Sequence, residues 1–479
     1  MNDEKSTTTR RTFVKSAIAS GVTVAALAEL GCATSQDRRA GAPQSSDAEA
    51  GAAAAAGGAV PKYPDLRIAY VGTGGIGGYH FENTVEHGVQ CPCFCDVDRR
   101  EWGNATKHFP SARGYQDYRE MFDKEHKNFD AVMIGVPDHH HYPATIIAMQ
   151  HGKHVYTQKP LTHTVWEARQ LTEAARKYKV ATQMGNQGHA LEGWRLVYEY
   201  VHSGKLGRIQ EVHTWTDRPI WPQGIGRPEG EDPVPPELNW DVWVGPAPMR
   251  PYVGPKPGER NGPYHRFNWR AWWDFGCGAL GDMACHTMDG LFWALNPPPP
   301  RFVEPLCSSP ITEDAFPNAS GVRWEFPGTW GRPGFTAYWY DGGLRPPLPP
   351  GFEVGRKLPG TGNLFVGTKA SLLVSGDYGE SPRVVPEVKH KEIGKPPKML
   401  ERSPGHVLEW LMACVGEKPL DYPKSNFFYA GPMTETILLG NVALRTGRRL
   451  EWDSAKLEFR NLPEANAFVS KEYREGWKF

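Results

Sequence analysis

Residues 66–80, "LRIAYVGTGGIGGYH", join an apolar run to a cluster of glycines. The apolar run predicts a buried strand, and the pattern Gly72-x-Gly74-x-x-Gly77 precedes a segment that can form a helix. Glycines at these positions allow a tight turn, a close approach of the backbone to a pyrophosphate and close helix-to-strand packing. The N-terminus of the helix then faces the phosphates. The stretch predicts a dinucleotide-binding loop formed by Gly72, Gly74, Gly75, Ile76 and Gly77.

A second apolar run, "VQCPCFCDV" (residues 89–97), predicts the next strand and contains an acidic residue near its end. Asp96 follows Gly72 by 24 residues, close to the spacing of about 20 that dinucleotide-binding units show. An acid here accepts hydrogen bonds from the adenosine ribose hydroxyls and disfavours a 2′-phosphate. NAD is therefore the predicted cofactor. Arg99 and Arg100 keep NADP open, because an arginine at this point can accommodate that phosphate.

Strands and helices continue to alternate as far as residue 186. The strand-like segments are "FDAVMIGV", "KHVYTQ" and "VATQMGN", and the helix-like segments between them are "YPATIIAMQHG" and "VWEARQLTEAARKYK". Strands alternating with helices indicate an α/β fold with a parallel, doubly wound sheet of the Rossmann type.

In "VYTQKPLTHT" (residues 155–164) an apolar run ends on a lysine that is followed by a proline. Proline lacks a backbone donor and biases the residue before it toward extended geometry, so Pro160 marks the end of a strand. Lys159 and Pro137 then lie at neighbouring strand tips, on the edge where open α/β sheets bind their ligands. We expect both residues near the nicotinamide end of the cofactor.

Composition narrows the kind of partner. The chain has 479 residues, which favours two domains. Lys plus Arg and Asp plus Glu number 54 each, so no overall field favours nucleic acid or a membrane surface. A small molecule is the predicted partner. Of the 17 tryptophans, many fall within residues 190–300, and such aromatic faces suit sugars, although core packing is the usual role of this residue.

The first 32 residues predict a targeting segment. "TTTRRTFVKSAIASGVTVAALAELGC" has a twin arginine before an apolar run too short to span a bilayer, and it indicates a twin-arginine export signal. We therefore expect an exported or periplasmic protein. Leu30-Gly31-Cys32 resembles a lipoprotein cleavage box and keeps a lipid anchor at Cys32 open, although Glu29 departs from that pattern. Residues 33–64 are rich in Ala, Gly and Ser and predict a flexible linker.

The predicted domains are 65–187, which binds the nucleotide, and 188–479, which binds substrate and forms oligomers. The second domain should be an α+β unit with an open, largely antiparallel sheet. Its strands are predicted in "IQEVHTWTD", "GVRWEFPG" and "GFTAYWYDG", followed by the hairpin "NLFVGTKASLLVSG". An open sheet face commonly packs against another copy, so a homo-oligomer is expected.

Three cysteines alternate along the second predicted strand. Cys91, Cys93 and Cys95 are poorly placed to bridge each other and lack CxxC spacing, so we interpret them as packing residues.

A more informative pair is Asp282 and His286. On a helix, their i, i+4 spacing places both side chains on one face, where a carboxylate can orient an imidazole. The same spacing suits zinc, but no third ligand lies nearby in the sequence, so no metal is predicted.

Several of these motifs occur together in one known family. "VGTGGIG", "CDVD", "IGVPDHHHYPATIIAMQHGKHVYTQKPL" and "WWDFGCGALGDMACHTMD" together resemble the family of glucose-fructose oxidoreductase, inositol dehydrogenase and rhizopine-catabolism proteins. The closing "ETILLGNVALRTGRRLEWD" looks like the tail of secreted bacterial members. The resemblance implies an NAD(P)-dependent enzyme.

The resemblance also implies site residues. The lysine of the family's Glu-Lys-Pro motif, which lies beside the nicotinamide and the reacting carbinol, corresponds to Lys159. Here Gln158 replaces the glutamate, and losing a carboxylate next to the lysine makes its ammonium easier to deprotonate. The family's Asp-x-x-x-His pair corresponds to Asp282 and His286, which meet the substrate and work with the lysine. His141 corresponds to a family histidine near the cofactor.

Other residues are predicted from their position. We expect the neighbouring His139 and His140 to be exposed and Asp289 to lie on a solvated helix face. Residues at the crossover into the second domain and in "HRFNWRAWW" are candidates for sugar binding: Asn186, Gln187, His189, Arg266, Trp269 and Arg270.

The predicted reaction is oxidation of a sugar or glycoside hydroxyl. Lys159, helped by His286, removes the hydroxyl proton while the hydride moves to NAD. An exported enzyme has no free NAD pool, so the cofactor must stay bound and be restored in place. The alternative is an NAD-dependent glycosidase that oxidises the ring transiently, eliminates the aglycone and adds water, for which Tyr264 is a further candidate residue. A sugar-binding protein with a vestigial redox site is the third interpretation.

Overall fold

The computed structural model describes residue 60, residues 62–329 and residues 331–478. The predicted export signal, the Cys32 anchor and most of the 33–64 linker therefore lie outside the described residues. Two sheets organise the part of the chain that is described. In the same residues, no helix is both long and apolar enough to cross a bilayer.

The first sheet is parallel, as predicted. Its six strands within the described residues have the order β3-β2-β1-β4-β5-β6. The strands are β1 Ile68–Val71, β2 Cys93–Cys95, β3 Arg113–Tyr115, β4 Ala131–Ile134, β5 His154–Gln158 and β6 Thr182–Gly185. The helices that connect them are α1 Gly77–Val85, α2 Gly103–His108, α3 Tyr118–Glu125, α4 His141–Gln150 and α5 Val165–Tyr178. The order reverses between β1 and β4, which creates the crevice where such sheets bind ligands.

The core of this sheet also draws on residues far along the chain. Helix α11 (His406–Cys414) contributes Val407, Trp410 and Leu411 to the cluster that contains Ile68 and Tyr70 of β1. A short apolar helix of nine residues thereby covers a sheet face that would otherwise expose its buried strands. The predicted boundary at residue 187 does not include this part of the first core.

The second sheet is mixed and mostly antiparallel. Its nine strands within the described residues have the order β13-β12-β11-β7-β10-β9-β8-β14-β15, and only the β10–β7 pair among those described is parallel. The strands are β7 Ile209–Trp215, β8 Phe302–Ser308, β9 Ser320–Phe326, β10 Phe335–Tyr340, β11 Gly362–Gly367, β12 Ser371–Ser375, β13 Glu380–Val385, β14 Leu450–Asp453 and β15 Glu458–Phe459. The predicted strands and the predicted hairpin are confirmed.

Helices cover one face of the second sheet. The remaining helices are α6 Glu192–His202, α7 Trp240–Val244, α8 Gly278–Thr287, α9 Asp289–Leu295, α10 Glu387–Ile393 and α12 Phe427–Thr446. Trp324 of β9 is fully buried, and its indole donates a hydrogen bond to the Thr436 carbonyl of α12. The ring also leaves no room for a side chain at Gly440 of α12, which lets the helix pack close to the sheet.

A long segment between β7 and α8 reaches back to the first sheet. The Asn239 amide donates to the Val97 carbonyl at 2.9 Å, and the Arg99 amide donates to the Glu237 carbonyl at 3.0 Å. The segment holds its own aromatic core, which includes Trp221, Trp240, Trp243, Tyr264 and Trp272. These tryptophans are packing residues in this structure, and Tyr264 is buried among them.

Several residues predicted to pack or to face solvent are all buried in the structure. Cys91, Cys93 and Cys95 are free and buried, as their interpretation as packing residues required. The expectation that His139 and His140 are exposed is wrong, because both rings are buried against the Trp243 carbonyl, which lies 3.0 Å and 2.9 Å from their Nε2 atoms. Asp289 is also fully buried. A solvated helix face was the wrong interpretation for it.

Candidate active site

The glycine loop lies between β1 and α1. Gly72 has φ +90°, and a side chain there would meet the Gly135 carbonyl at the tip of the neighbouring strand. A Cβ atom on Gly77 would lie 2.5 Å from the Gly72 carbonyl oxygen. Both positions therefore require glycine, one for its backbone conformation and both for close packing. The loop and the helix start have the form that a dinucleotide pyrophosphate needs.

Asp96 is tied to this loop. Its Oδ2 atom accepts hydrogen bonds from the Thr73 and Gly74 amides at 2.8 and 3.2 Å, and its Oδ1 atom accepts one from the Asp98 amide at 3.0 Å. Burial raises the pKa of Asp96, although these amide bonds oppose the shift. The carboxylate thus fixes the loop in position, a role the sequence spacing alone did not predict.

Arg266 lies beside the same strand tip. Its Nη1 atom is 2.5 Å from Glu101 Oε1 and its Nη2 atom is 3.8 Å from Asp98 Oδ2. The Glu101 carboxylate in turn lies over Gly74, where a Cβ atom would be 2.8 Å from Oε2. The structure therefore places Arg266 at the β2 end of the crevice, where the adenosine half of a dinucleotide binds.

A charged cluster lies at the β5 tip. Lys159 Nζ donates hydrogen bonds to the Asp282 backbone carbonyl at 2.9 Å and to its Oδ1 atom at 3.0 Å. Arg270 Nε donates to the same Oδ1 atom at 2.9 Å. Burial raises the pKa of Asp282, but the charges of Lys159 and Arg270 outweigh it and hold that pKa well below its usual range. Asp282 is therefore a fixed anion between two cations from different parts of the chain.

His286 lies one helical turn beyond Asp282 on α8, as its spacing predicted. The ring is buried, and its Nδ1 atom has no hydrogen-bond partner among the described residues. Burial, with a smaller contribution from the Lys159 charge, holds the pKa of His286 well below its usual range. A neutral imidazole can accept or donate one hydrogen bond at each nitrogen, which suits contact with a substrate hydroxyl.

His141 joins the two strand tips that flank the site. Its Nδ1 and Nε2 atoms lie 2.6 Å and 2.8 Å from the Pro160 and Val136 carbonyls. Burial lowers the pKa of His141 to about 4, so the ring is neutral and only one nitrogen donates at a time. Pro137, next to Val136, is thereby held near the β5 tip.

The chain matches known proteins over both domains. Residues 66–186 match the NAD-binding Rossmann fold of the Gfo/Idh/MocA oxidoreductase family, and residues 213–300 match its C-terminal alpha/beta domain. The two matched ranges are therefore similar to the two domains of this family. The first match covers the glycine loop, Asp96 and Lys159, and the second covers Arg270, Asp282 and His286.

Individual relatives are distant. An uncharacterized oxidoreductase from Synechocystis is 26% identical over 237 residues, or 49% of this chain and 53% of that protein. An alpha-N-acetylgalactosaminidase from Shewanella oneidensis is 29% identical over 160 residues, or 31% of this chain and 34% of that protein. The chain thus matches only between about a third and about half of the length of these curated relatives.

The solved structures share the fold. The WlbA dehydrogenase from Bordetella pertussis, solved in complex with NADH and UDP-GlcNAcA, has a TM-score of 0.55 and 18% identity. The similarity covers 81% of this chain and 99% of that chain. The two domains therefore share the fold of this solved structure, and residues 66–186 match a model of an NAD-binding Rossmann fold.

The predicted sugar-binding residues are not all brought together. Arg270 joins the Lys159 cluster, and its guanidinium lies 4.2 Å from the centre of the Trp269 ring. Asn186 is buried, where its Oδ1 atom accepts a hydrogen bond from Ser425 at 2.5 Å. Gln187 is buried, and its Oε1 atom has no hydrogen-bond partner among the described residues. Arg266 lies at the other end of the crevice.

His189 and Asp289 form a buried pair behind the site. Asp289 Oδ1 lies 2.9 Å from His189 Nδ1 and accepts a hydrogen bond from the Tyr429 hydroxyl at 2.5 Å. Trp293 stacks on the imidazole with 4.2 Å between ring centres. The pair satisfies the buried carboxylate, which explains why Asp289 can leave the surface.

Gln158 points away from Lys159. Its Nε2 atom lies 3.0 Å from His80 Nε2, and its side chain occupies the space next to Gly185. Burial lowers the pKa of His80 to about 3, so the imidazole is neutral and accepts the amide hydrogen bond. A glutamate at position 158 would therefore face the neutral His80 ring. The sequence did not reveal that His80 lies next to this position.

Sequence reasoning missed one residue of the site and the burial of a second. Tyr378, in the turn between β12 and β13, places its ring edge-on to His286 with 5.1 Å between ring centres. Nothing in its sequence context signals this contact, because the turn lies about 90 residues beyond the helix. Asp138 follows the β4 tip and is buried beside the Lys159 cluster. Its position after Pro137 was visible in the sequence, but its burial was not.

Proposed function

We propose that this protein is an NAD-dependent oxidoreductase that acts on a CH–OH group of a sugar or glycoside and keeps its cofactor bound between turnovers. One observation carries the proposal: Lys159, Arg270 and Asp282 form a charged cluster at the ligand-binding edge of an NAD-binding sheet. Perturbed titratable groups at such an edge are typical of catalytic sites.

The residues divide the chemistry between them. Bound NAD supplies the acceptor for the hydride that leaves the carbinol carbon. Once the Lys159 ammonium has released its proton to solvent, Nζ takes the hydroxyl proton, so the carbonyl forms as the C–H and O–H bonds break. Asp282 holds the amine in place through its Oδ1 atom and backbone carbonyl. The neutral imidazole of His286 hydrogen-bonds to the substrate and keeps the hydroxyl aligned.

Retention of the cofactor follows from two considerations. The predicted export signal would place the protein where no NAD pool exists, so each hydride must return within the site. The segment between β7 and α8 covers the β2 tip through backbone hydrogen bonds at Val97 and Arg99. A covered adenosine end slows dissociation of the dinucleotide. We therefore propose an exported, homo-oligomeric enzyme whose net reaction is redox-neutral or uses a second sugar-like acceptor.

The second candidate is an NAD-dependent glycosidase. It is favoured by the match to a relative named alpha-N-acetylgalactosaminidase. Ordinary glycosidases use two carboxyl groups that flank the scissile bond. Here Asp282 is held by two cations, and Asp138 is buried, so neither is free to act in that way. Hydrolysis would therefore follow the transient-oxidation route, with Lys159 and His286 in the same roles.

One experiment separates these candidates. The purified mature protein is given a panel of sugars and aryl glycosides with no added NAD, while the near-ultraviolet band of reduced nicotinamide and aglycone release are followed together. A band that builds and stays until an acceptor is added indicates the oxidoreductase. Release of aglycone over many turnovers without a lasting band indicates the glycosidase. A protein that carries nicotinamide but gives neither signal contradicts both.

A further inference from the structure

A short irregular segment after β15 runs back across the first domain. This closing segment, residues 469–478, contains no helix or strand. It is attached near both of its ends. The Trp166 amide donates a hydrogen bond to the Val469 carbonyl at 2.9 Å, and the Arg119 guanidinium lies 3.7 Å from the centre of the buried Trp477 ring. Ordering such a segment costs conformational entropy, so these contacts must be strong enough to offset that cost.

Lys471 of the closing segment is a partly buried cation with three acceptors. Its Nζ atom lies 2.9 Å from His163 Nδ1 and 3.2 Å from Glu167 Oε1, and it donates a hydrogen bond to the His139 carbonyl at 3.4 Å. Since an ammonium group can only donate, His163 Nδ1 must accept, and the proton of the neutral ring lies on Nε2. Lys471 therefore determines the tautomer of His163.

This tautomer connects two segments that carry residues of the candidate site. His163 Nε2 donates a hydrogen bond to the Gly276 carbonyl at 3.0 Å. His163 lies in the loop that follows Lys159, and Gly276 lies just before α8, which carries Asp282. The opposite tautomer would place the lone pair of Nε2 against the carbonyl oxygen, and the link would be lost. The distance between Lys159 and Asp282 therefore depends on the proton position that Lys471 sets.

Glu167 depends less on Lys471 than His163 does. Its Oε1 atom also accepts a hydrogen bond from the Tyr473 hydroxyl at 2.6 Å, and its Oε2 atom accepts hydrogen bonds from the His163 and Thr164 amides at 3.0 and 2.9 Å. The carboxylate would keep these three donors if Lys471 were replaced. His163 Nδ1 would lose the donor that fixes its tautomer. Replacement of Lys471 should therefore act first on His163.

We propose that Lys471 is a positioning residue, which fixes the Nε2–H tautomer of His163 and so holds the loop after Lys159 against the start of α8. The proposal rests on the proposed function only for the effect on turnover. The link keeps Lys159 Nζ at 3.0 Å from Asp282 Oδ1. A displacement of about 1 Å between reacting groups can lower a rate by about 100-fold. A lysine that reaches the site only through His163 can therefore control the chemistry.

The tautomer can be measured without any sugar. Long-range proton–nitrogen NMR spectra of protein labelled with nitrogen-15 histidine distinguish the two tautomers, and His163→Gln identifies the signals of His163. At about pH 8, where an ordinary imidazole is neutral, the wild type should show only the Nε2–H tautomer. Lys471→Met should show a mixture or the opposite tautomer. Lys471→Arg, which still donates to Nδ1, should restore the wild-type pattern.

Tyr473→Phe is the matched control, because it removes a hydrogen bond from the same segment to the same Glu167 and leaves Lys471 in contact with His163. Amide hydrogen exchange in residues 160–164 and 276–282, measured by mass spectrometry, should accelerate several-fold in Lys471→Met and stay at the wild-type rate in Tyr473→Phe. With an active sugar, Lys471→Met should lower kcat by about 10- to 100-fold at nearly unchanged KM, whereas Tyr473→Phe should change kcat by less than about twofold.

Three results would overturn the proposal. They are an unchanged Nε2–H tautomer of His163 in Lys471→Met, equal changes in amide exchange in Lys471→Met and Tyr473→Phe, and a wild-type kcat in Lys471→Met with a sugar that the wild type turns over. The first two do not depend on turnover. An inactive sugar panel would therefore count against the proposed function and leave this inference standing.

Discussion

Two ionic clusters link the domains at opposite ends of the same crevice. At the β2 end, Asp98 is bound by Arg100 at 2.7 Å and faced by Arg266 and His265. At the β5 end, Asp282 is bound by Lys159 and Arg270. Both clusters hold a buried aspartate between bases from both domains. Their composition is nearly the same, so their neighbours must determine what each one does.

The two clusters differ in whether the buried polar atoms around them have hydrogen-bond partners. Around Asp98, the hydrogen bonds from Arg100 and the nearby basic groups outweigh burial and lower the pKa of the acid. Around Asp282, the buried Nδ1 atom of His286 and both oxygens of Asp138 have no partner among the described residues. Unsatisfied buried groups are costly unless a ligand completes them. We therefore propose that the β5 cluster serves binding and chemistry and that the β2 cluster holds the domains together.

The largest effect should follow loss of the base. Lys159→Met should lower turnover by about 10²–10⁴-fold, because general-base catalysis typically contributes that much. The cofactor content of the purified variant should stay at the wild-type level. Steady-state rates together with the nicotinamide content after protein denaturation measure the two quantities. A variant that lost its cofactor would show that Lys159 serves binding instead.

Substituting Asp282 and Asp98 in turn should show that the two clusters have different roles. Asp282→Asn leaves Lys159 and Arg270 without their anion, so we expect about a 100-fold fall in kcat. Asp98→Asn removes the buried partner of Arg100 and Arg266, whose side chains are about a third exposed, and should cost about 1–3 kcal/mol of unfolding free energy, with kcat nearly unchanged. Denaturant unfolding and steady-state kinetics on both variants provide the test. Equal kinetic losses would contradict the division of roles.

The β2 cluster should still affect the cofactor. Arg266→Gln breaks the ion pair with Glu101, which lies over Gly74 of the pyrophosphate loop. We expect faster NAD release by several-fold, with little change in kcat when NAD is supplied. Dialysis followed by fluorescence of the remaining nicotinamide measures retention. Arg227→Gln, which breaks an exposed pair with Asp314, is the matched control.

The smallest effect concerns pH. Burial raises the pKa of Asp341 from 3.8 in the unfolded chain to about 7 in the fold. The folded state therefore binds a proton more tightly, and this contribution to stability is lost as pH rises from about 4 to 7. Asp341→Asn should flatten the stability profile over that interval. Thermal unfolding at a series of pH values gives the result, and an unchanged slope would contradict it.

Features encoded by contiguous motifs could be predicted from the sequence, whereas features that depend on contacts between distant residues could not. The first sheet and the glycine loop are encoded by contiguous motifs, and the resemblance located Lys159, Asp282 and His286. The burial of His139 and His140 depends on the Trp243 carbonyl, about 100 residues away, which no local pattern reports. The orientation of Gln158 toward His80 depends in the same way on packing between β5 and α1.

The most direct test of the account compares the wild-type protein with Lys159→Met, both as purified and without added NAD. Each is mixed with the sugars of the panel while the absorbance of reduced nicotinamide is followed. The account predicts that the wild type forms the band with at least one sugar, whereas the variant contains the same amount of cofactor and forms no band. Equal rates of band formation in the two proteins would contradict the role assigned to Lys159, and a wild-type protein that carried no nicotinamide would contradict the bound cofactor.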